Sequence, residues 1–149
     1  MSTGRLIAAL IVGFLVVQVA VMVTNGIGGL MFHSMPDPET KKISADANTP
    51  GMCAWNIAWY LPAGAIGAFV ATKIARARPW WPVIGMAGLI VLIGVPYAIF
   101  APPMYREFGA DIPGWCLPLL PLTGTLGVLL GGWLGACCCR RGNDASAAE

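Results

Sequence analysis

Long apolar runs separated by short polar segments organise the chain. Uninterrupted hydrophobic stretches of membrane-spanning length occur four times, at about 6–32, 52–72, 81–101 and 115–139. A helix needs about 20 mostly apolar residues to cross roughly 30 Å of hydrocarbon. The pattern therefore predicts an all-α integral membrane protein with four transmembrane helices, forming a single domain over residues 1–149.

Composition agrees with this interpretation. Hydrophobic residues make up 57% of the chain and charged residues only 11%, whereas a soluble domain carries roughly a quarter charged residues. The connections are too short for a soluble domain. We expect the first run to be an uncleaved signal anchor, because it is longer than a signal-peptide core. The last residues, 142–149, are polar and are predicted to form a short disordered tail.

The distribution of basic residues predicts an orientation. Basic residues concentrate in the segments at one side of the predicted bundle: Arg5, Lys73, Arg76, Arg78, Arg140 and Arg141. The other side carries fewer basic residues and most of the acidic ones. Because cytoplasmic loops are enriched in Lys and Arg, both termini are expected in the cytoplasm, most plausibly at a bacterial inner (plasma) membrane. The net charge of +2 then reflects topology, and no nucleic-acid partner is expected.

An internal repeat is the second pattern in the sequence. The tetrapeptide Pro50–Cys53 (PGMC) returns 63 positions later as Pro113–Cys116 (PGWC), and the alignment continues without a gap to the basic residues after each run. We interpret units of about 5–78 and 79–141 as a duplicated two-helix hairpin. Each unit crosses twice, so a pseudo-two-fold axis is expected along the membrane normal. In both copies we expect the Pro-Gly pair to form a turn before the helix begins.

Small residues repeat at equivalent positions of the second and fourth runs. Each run carries a small-x₃-small-x₃-small stripe on one predicted helix face: Gly64, Ala68 and Thr72 in one, Gly127, Gly131 and Gly135 in the other. Lipid offers no hydrophobic drive for association between helices, so close approach of small residues favours packing. These two faces are predicted to meet.

Two cysteines lie above these stripes. Cys53 precedes Gly64, and Cys116 precedes Gly127, by the same interval of about three helical turns. Both thiols are therefore expected at equal depth on the non-cytoplasmic side, where disulfides are permitted. The sequence leaves two alternatives open: a Cys53–Cys116 disulfide or two free thiols.

Candidate catalytic groups are few. No Asp, Glu, Lys, Arg or His lies deep in a run, and such groups are typical of proton relays and ion pathways. The main polar candidates inside the membrane are Gln18 and Asn56, with Gln18 expected to form an interhelical hydrogen bond. No nucleotide, metalloprotease or catalytic-triad motif is present. The chain is predicted not to be an enzyme and to need no cofactor.

Metal binding is a weak alternative. His33, the single histidine, lies near Met31 and Met35, and thioether and imidazole ligands suit Cu(I). The spacing matches no compact motif, so we predict no metal site. Cys137, Cys138 and Cys139 are adjacent and cannot converge on one ion within a regular helix.

These patterns favour a non-catalytic membrane protein that acts by helix packing, as an accessory or scaffold subunit. Its expected partners are the lipid bilayer and a membrane protein or further copies of itself. The alternative is a small-solute transporter or channel that works as an oligomer. A membrane thiol or metal-handling protein is a further alternative.

Overall fold

The fold consists of four long α-helices. The computed structural model describes residues 3–33, 39, 49–76, 78–107 and 112–146, with 103–107 and 139–146 described as backbone only. The helices are α1 (Thr3–Met31), α2 (Thr49–Ala75), α3 (Trp80–Glu107) and α4 (Cys116–Ser146). All four are long and apolar enough to span a membrane. The prediction of four long apolar helices is therefore confirmed.

Helix ends follow local backbone chemistry. After α1, His33 adopts a left-handed conformation (φ 51°) and the Phe32 amide donates to the Gly28 carbonyl at 2.9 Å. After α2, Arg76 is also left-handed (φ 31°), and its amide donates to the Thr72 carbonyl at 3.0 Å. A left-handed residue directly after the last turn satisfies carbonyls that would otherwise lack donors.

The two Pro-Gly pairs differ in structure, although the repeat predicted the same turn for both. Pro50 and Gly51 lie inside the first turn of α2, where proline is tolerated because the first amides of a helix need no intrahelical acceptor. The second pair precedes α4, and the Cys116 amide donates to the Pro113 carbonyl at 2.9 Å. The prediction of a turn before the helix is therefore wrong for the first pair.

Two helices extend past the predicted runs. Helix α3 continues to Glu107, beyond the expected end near residue 101. Helix α4 continues to Ser146, into the segment that was expected to be a disordered tail. Both extensions are more polar than the runs that they prolong. The predicted ends fell short because they were placed where the apolar run stops, whereas the backbone hydrogen bonds of a helix can continue through polar residues.

Helices α2 and α4 form the centre of the bundle. They pack against each other along their length, with α1 against α2 and α3 against α4, and α1 meets α3 over a smaller area. In the apolar 18-residue stretch of each helix, 39% of the residues are buried in α4 and 33% in α2, but only 17% in α1 and 11% in α3. The outer helices therefore present most of their apolar side chains outward, as proteins surrounded by lipid do.

Two clusters make up the core. The first lies at mid-bundle and contains Val17, Ala68, Ala71, Val83, Met86 and Val128. The second surrounds Cys53 and Cys116, with Leu117, Leu120 and Ala101 packed beside them. We call the end of the bundle that contains these cysteines the disulfide end, and the end that contains Arg5, Lys73 and Arg76 the basic end.

Candidate functional site

The α2–α4 interface, here called the central seam, brings the two small-residue stripes together. A side-chain carbon at Gly64 would stand 2.6 Å from the Gly124 carbonyl oxygen. One at Gly127 would overlap the Leu61 carbonyl, and one at Gly131 would overlap the Ala65 carbonyl. The two backbones are therefore in direct contact, and only glycine fits at these positions.

Contacts across the seam follow the register of the repeat. The repeat register pairs Leu61 with Gly124 and Gly64 with Gly127. Gly64 packs on Gly124, and Gly127 packs on Leu61, so the same contact occurs twice with the units exchanged. Gly135 packs on Thr72, and these two residues occupy equivalent positions in that register.

A disulfide closes one end of the seam. Cys53 and Cys116 are bonded, with their Cα atoms 5.6 Å apart, so the structure selects the first of the two alternatives. The two residues are only 4% and 3% exposed. Because thiol–disulfide exchange requires access of a thiolate to a sulfur, this bond is placed as a structural link between the two halves.

Helix α2 carries a second small-residue face that the sequence analysis missed. Ala63, Gly67, Ala71 and Ala75 are buried beside the predicted stripe. A carbon added at Gly13 would stand 2.7 Å from the Ala71 Cβ and 2.9 Å from the Gly67 carbonyl oxygen. The four-residue spacing of this face was visible in the sequence. The matching face of α1 is short, with Ala9 and Gly13 four residues apart and both buried, and the pairing of the two faces was not predicted.

Polar contacts tie α1 to α2 at both ends. The Arg5 Nε donates to the Ile74 carbonyl at 2.8 Å at the basic end. The Trp55 Nε1 donates to the Thr24 carbonyl at 2.9 Å near the disulfide end, and its indole lies against Gly28. Helix α1 is therefore held by α2, and the face that meets α2 also meets α3, because Gly13 lies beside Met86 as well as Ala71.

A cavity of about 360 Å³ lies between α1 and α3, and we call it the lateral cavity. Tyr60 of α2 and Leu120, Pro121 and Gly124 of α4 also contribute to it, so it reaches inward to the seam. Most of its lining is apolar, and the polar side chains are Gln18, Asn25, Tyr60 and Tyr97. It occupies the half of the bundle nearer the disulfide, because Tyr60 and Leu120 also pack in the disulfide cluster.

Gln18 and Asn56 occupy different surroundings. Gln18 was expected to bond another helix, but it is exposed and lines the lateral cavity. Asn56 is half-buried, and its Oδ1 atom has no hydrogen-bond partner among the described residues. The same holds for Asn25 Oδ1 and Thr125 Oγ1. Buried polar atoms without partners are uncommon, so these three mark places where a ligand or another chain could supply one.

Two of the three weak metal candidates lie at the end of α1. His33 and Met31 are exposed at the end of α1, and Met35 lies outside the described residues. Within the described ranges, no group of three His, Cys, Asp or Glu side chains is placed to hold a metal ion. Cys137 and Cys138 are free and exposed, and the side chain of Cys139 lies outside the described part.

A shallow groove runs along the outside of α3 and α4, and we call it the outer groove. One stretch is lined by Ile84, Ala87, Gly88, Val91, Leu92 and Leu129, and has a volume of about 480 Å³. The next stretch shares Val91 and continues along Val95, Ile99 and Thr125, with a volume of about 440 Å³. A carbon added at Gly88 would meet no atom within 4 Å, so the groove is open there.

Comparisons of the chain with protein-family models, with curated proteins and with solved structures find no match.

Proposed function

We propose that the chain is a multi-pass integral membrane protein that acts without catalysis, as an accessory or scaffold subunit of a membrane complex. The outer groove is the observation that carries this proposal. From Ile84 to Ile99 it follows α3 for about 22 Å at 1.5 Å per residue. That is about three quarters of the hydrocarbon thickness, enough for one side of a partner's transmembrane helix.

The surface of the groove suits a helix. Gly88 leaves space for a closely approaching backbone or a large side chain, and small residues at helix interfaces in membranes have this use. The Thr125 Oγ1 atom is buried there with no hydrogen-bond partner in the described part of the chain, and it can bond a polar side chain of an incoming helix. A rigid seam behind the groove supports it, because the disulfide and the glycine contacts hold α4 in place.

The duplicated hairpin belongs to the same proposal. The reciprocal contacts of Gly64 and Gly127 and the disulfide between equivalent cysteines support a pseudo-two-fold arrangement of two related units. Under this proposal the central seam joins the two copies, while the faces away from it are free to diverge and to bind partners.

Co-purification from the native membrane tests the scaffold role. Wild type, Gly88→Leu and Gly4→Leu are tagged, purified in a mild detergent and analysed by mass spectrometry. Gly4 also meets no atom within 4 Å but lies far from the groove, so it is the matched control. We expect a stoichiometric partner with wild type and Gly4→Leu that is lost in Gly88→Leu. A strictly monomeric wild type without a partner would overturn the proposal, and a mass of two copies would identify the chain itself as the partner.

The orientation is a separate part of the proposal. Reporter fusions after Arg78 and Glu149 are expected to report the cytoplasm, and fusions near Lys41 and Glu107 the opposite side, because Lys and Arg are enriched in cytoplasmic segments. A reversal of the two sets would contradict the proposed topology.

A small-solute transporter or channel is the second candidate, favoured by the polar side chains in the lateral cavity. Four helices leave little room for an aqueous path, so an oligomer would be needed. Uptake by proteoliposomes that disappears in Gln18→Leu would support transport, and solute flux no higher than in empty liposomes would exclude it for the solutes tested.

A further inference from the structure

The lateral cavity has the dimensions and lining of a small-molecule site. Its volume of about 360 Å³ falls within the range of roughly 300–1,000 Å³ typical of ligand pockets. Such pockets combine a mostly apolar wall with a few placed polar groups. Here the wall comes from all four helices, and the polar groups come from three of them.

Two amides lie on one face of α1. Gln18 and Asn25 are separated by two helical turns, and both line the cavity. The Asn25 Oδ1 atom is buried and has no hydrogen-bond partner among the described residues. An unpaired buried amide oxygen is unfavourable, so a molecule that donates a hydrogen bond to it gains more than the same contact would give in water.

The lining also limits the chemistry of the occupant. Among the described residues that line the cavity there is no Asp, Glu, Lys, Arg or His, so a charged head group would lack a counter-ion there. A hydroxyl group can both donate and accept a hydrogen bond. It can therefore pair with either the oxygen or the nitrogen of a side-chain amide. The remaining wall is apolar and continues outward between α1 and α3, where a hydrocarbon chain would extend into lipid.

We propose that the lateral cavity binds a neutral, hydroxyl-bearing membrane amphipath, with its hydroxyl on Asn25 and its hydrocarbon portion between α1 and α3. Gln18 provides a second hydrogen-bonding group nearer the middle of α1. Long-chain alcohols, sterols, prenols and hydroquinones share this chemistry. The site is independent of the scaffold role, because the outer groove lies on the other side of α3.

Photolabelling with a defined probe tests the proposal. Purified protein is reconstituted in phosphatidylcholine vesicles with hexadecanol that carries a chain diazirine, and labelled peptides are mapped by mass spectrometry. The paired probe is the methyl ether of the same molecule, which lacks the donor. We expect labels on α1 and α3 around Asn25 and Ile93, and about ten-fold less labelling by the ether, the factor that one such hydrogen bond gives.

Two asparagines provide a matched pair of variants. Asn25→Leu removes the cavity amide, and Asn56→Leu removes an amide that is also unpartnered but does not line the cavity. We expect about ten-fold less labelling in Asn25→Leu and unchanged labelling in Asn56→Leu. Formation of the Cys53–Cys116 disulfide reports that each variant has folded.

A competition experiment on the wild-type protein needs no variant. Unlabelled hexadecanol should suppress the labels, and hexadecane should not. Equal labelling by alcohol and ether, labels spread over all outer helix faces, or equal competition by hexadecane would each overturn the proposal. The Gly88→Leu variant should be labelled as strongly as wild type. Loss of the partner in the co-purification and loss of the ligand in the labelling are therefore distinguishable. Organic extraction of protein from its native membrane then identifies by mass which hydroxyl-bearing molecule is bound.

Discussion

The central seam and the lateral cavity lie in the same bundle but represent opposite kinds of helix contact. At the seam, Gly127 and Gly131 bring α4 onto the carbonyl groups of α2. At the cavity, α1 and α3 face each other through larger side chains such as Phe14 and Ile93 and leave about 360 Å³ unfilled. Residue size at the contact decides the difference, because only a bare backbone allows another backbone to touch it.

The comparison separates two roles for the helices. The seam is closed at one end by a buried disulfide, and its glycine contacts bring the two backbones together. The cavity is lined by polar as well as apolar side chains, and among the polar ones Gln18 is exposed. We infer that stability is concentrated in α2 and α4, and binding in the faces of α1 and α3. The following changes test that division, from the largest expected effect to the smallest.

Gly131→Leu is expected to break the seam. Its side chain would overlap the backbone of α2 at Ala65, which cannot move aside without separating the helices. We expect a loss of about 3 kcal/mol or more, the upper end for overpacked sites, measured as thermal or denaturant unfolding in detergent. Gly88→Leu is the control, since nothing lies within 4 Å of that position. Equal stability of the two variants would show that the seam does not carry the fold.

Removing the disulfide by Cys53→Ser with Cys116→Ser should weaken the same interface. A bond across such a long loop stabilises by about 2–4 kcal/mol in typical proteins. We expect about 2 kcal/mol, since helices that stay inserted gain less freedom on unfolding than a chain in water. The double variant Cys137→Ser with Cys138→Ser is the control, because those thiols are free and exposed. A control that loses as much stability would mean that cysteine replacement itself is the cause.

Trp55→Phe tests how α1 is held. The change removes the hydrogen bond from Nε1 to the Thr24 carbonyl while it keeps an aromatic ring beside Gly28. We expect a loss of about 1 kcal/mol and faster hydrogen exchange in α1 than in α4. Trp133→Phe, at a side chain of α4 that is 56% exposed, should change neither. If amide hydrogens of α1 and α4 exchange at the same rate in Trp55→Phe, then α1 is not held separately from the central seam.

Gln18→Leu should leave stability within about 0.5 kcal/mol of wild type. The side chain is exposed at the cavity, so its removal breaks no contact within the seam. The melting temperature in detergent, compared with that of Gly131→Leu, provides the measurement. A drop as large as that of Gly131→Leu would show that the cavity wall and the seam are one structural unit.

The sequence by itself determined the four long apolar helices, because an apolar run of about 20 residues or more has the length of a helix that could span a membrane. It also placed the two cysteines at equal distances from Gly64 and Gly127 and left two alternatives, a disulfide or two free thiols, between which the structure decided. The stripe itself was readable because four-residue spacing always falls on one helix face. These properties depend only on positions within each helix.

Tertiary structure decided which face of each outer helix lies against which neighbour. Gln18 could equally have bonded another helix, and its place at a cavity depends on α1 being held by α2 through Gly13 and Trp55. The convergence of Asn25, Tyr60 and Tyr97 likewise joins three helices that are distant in the chain. A helical pattern fixes the angular position of each side chain around the axis of its helix. The distance between two helices depends instead on every side chain packed between them.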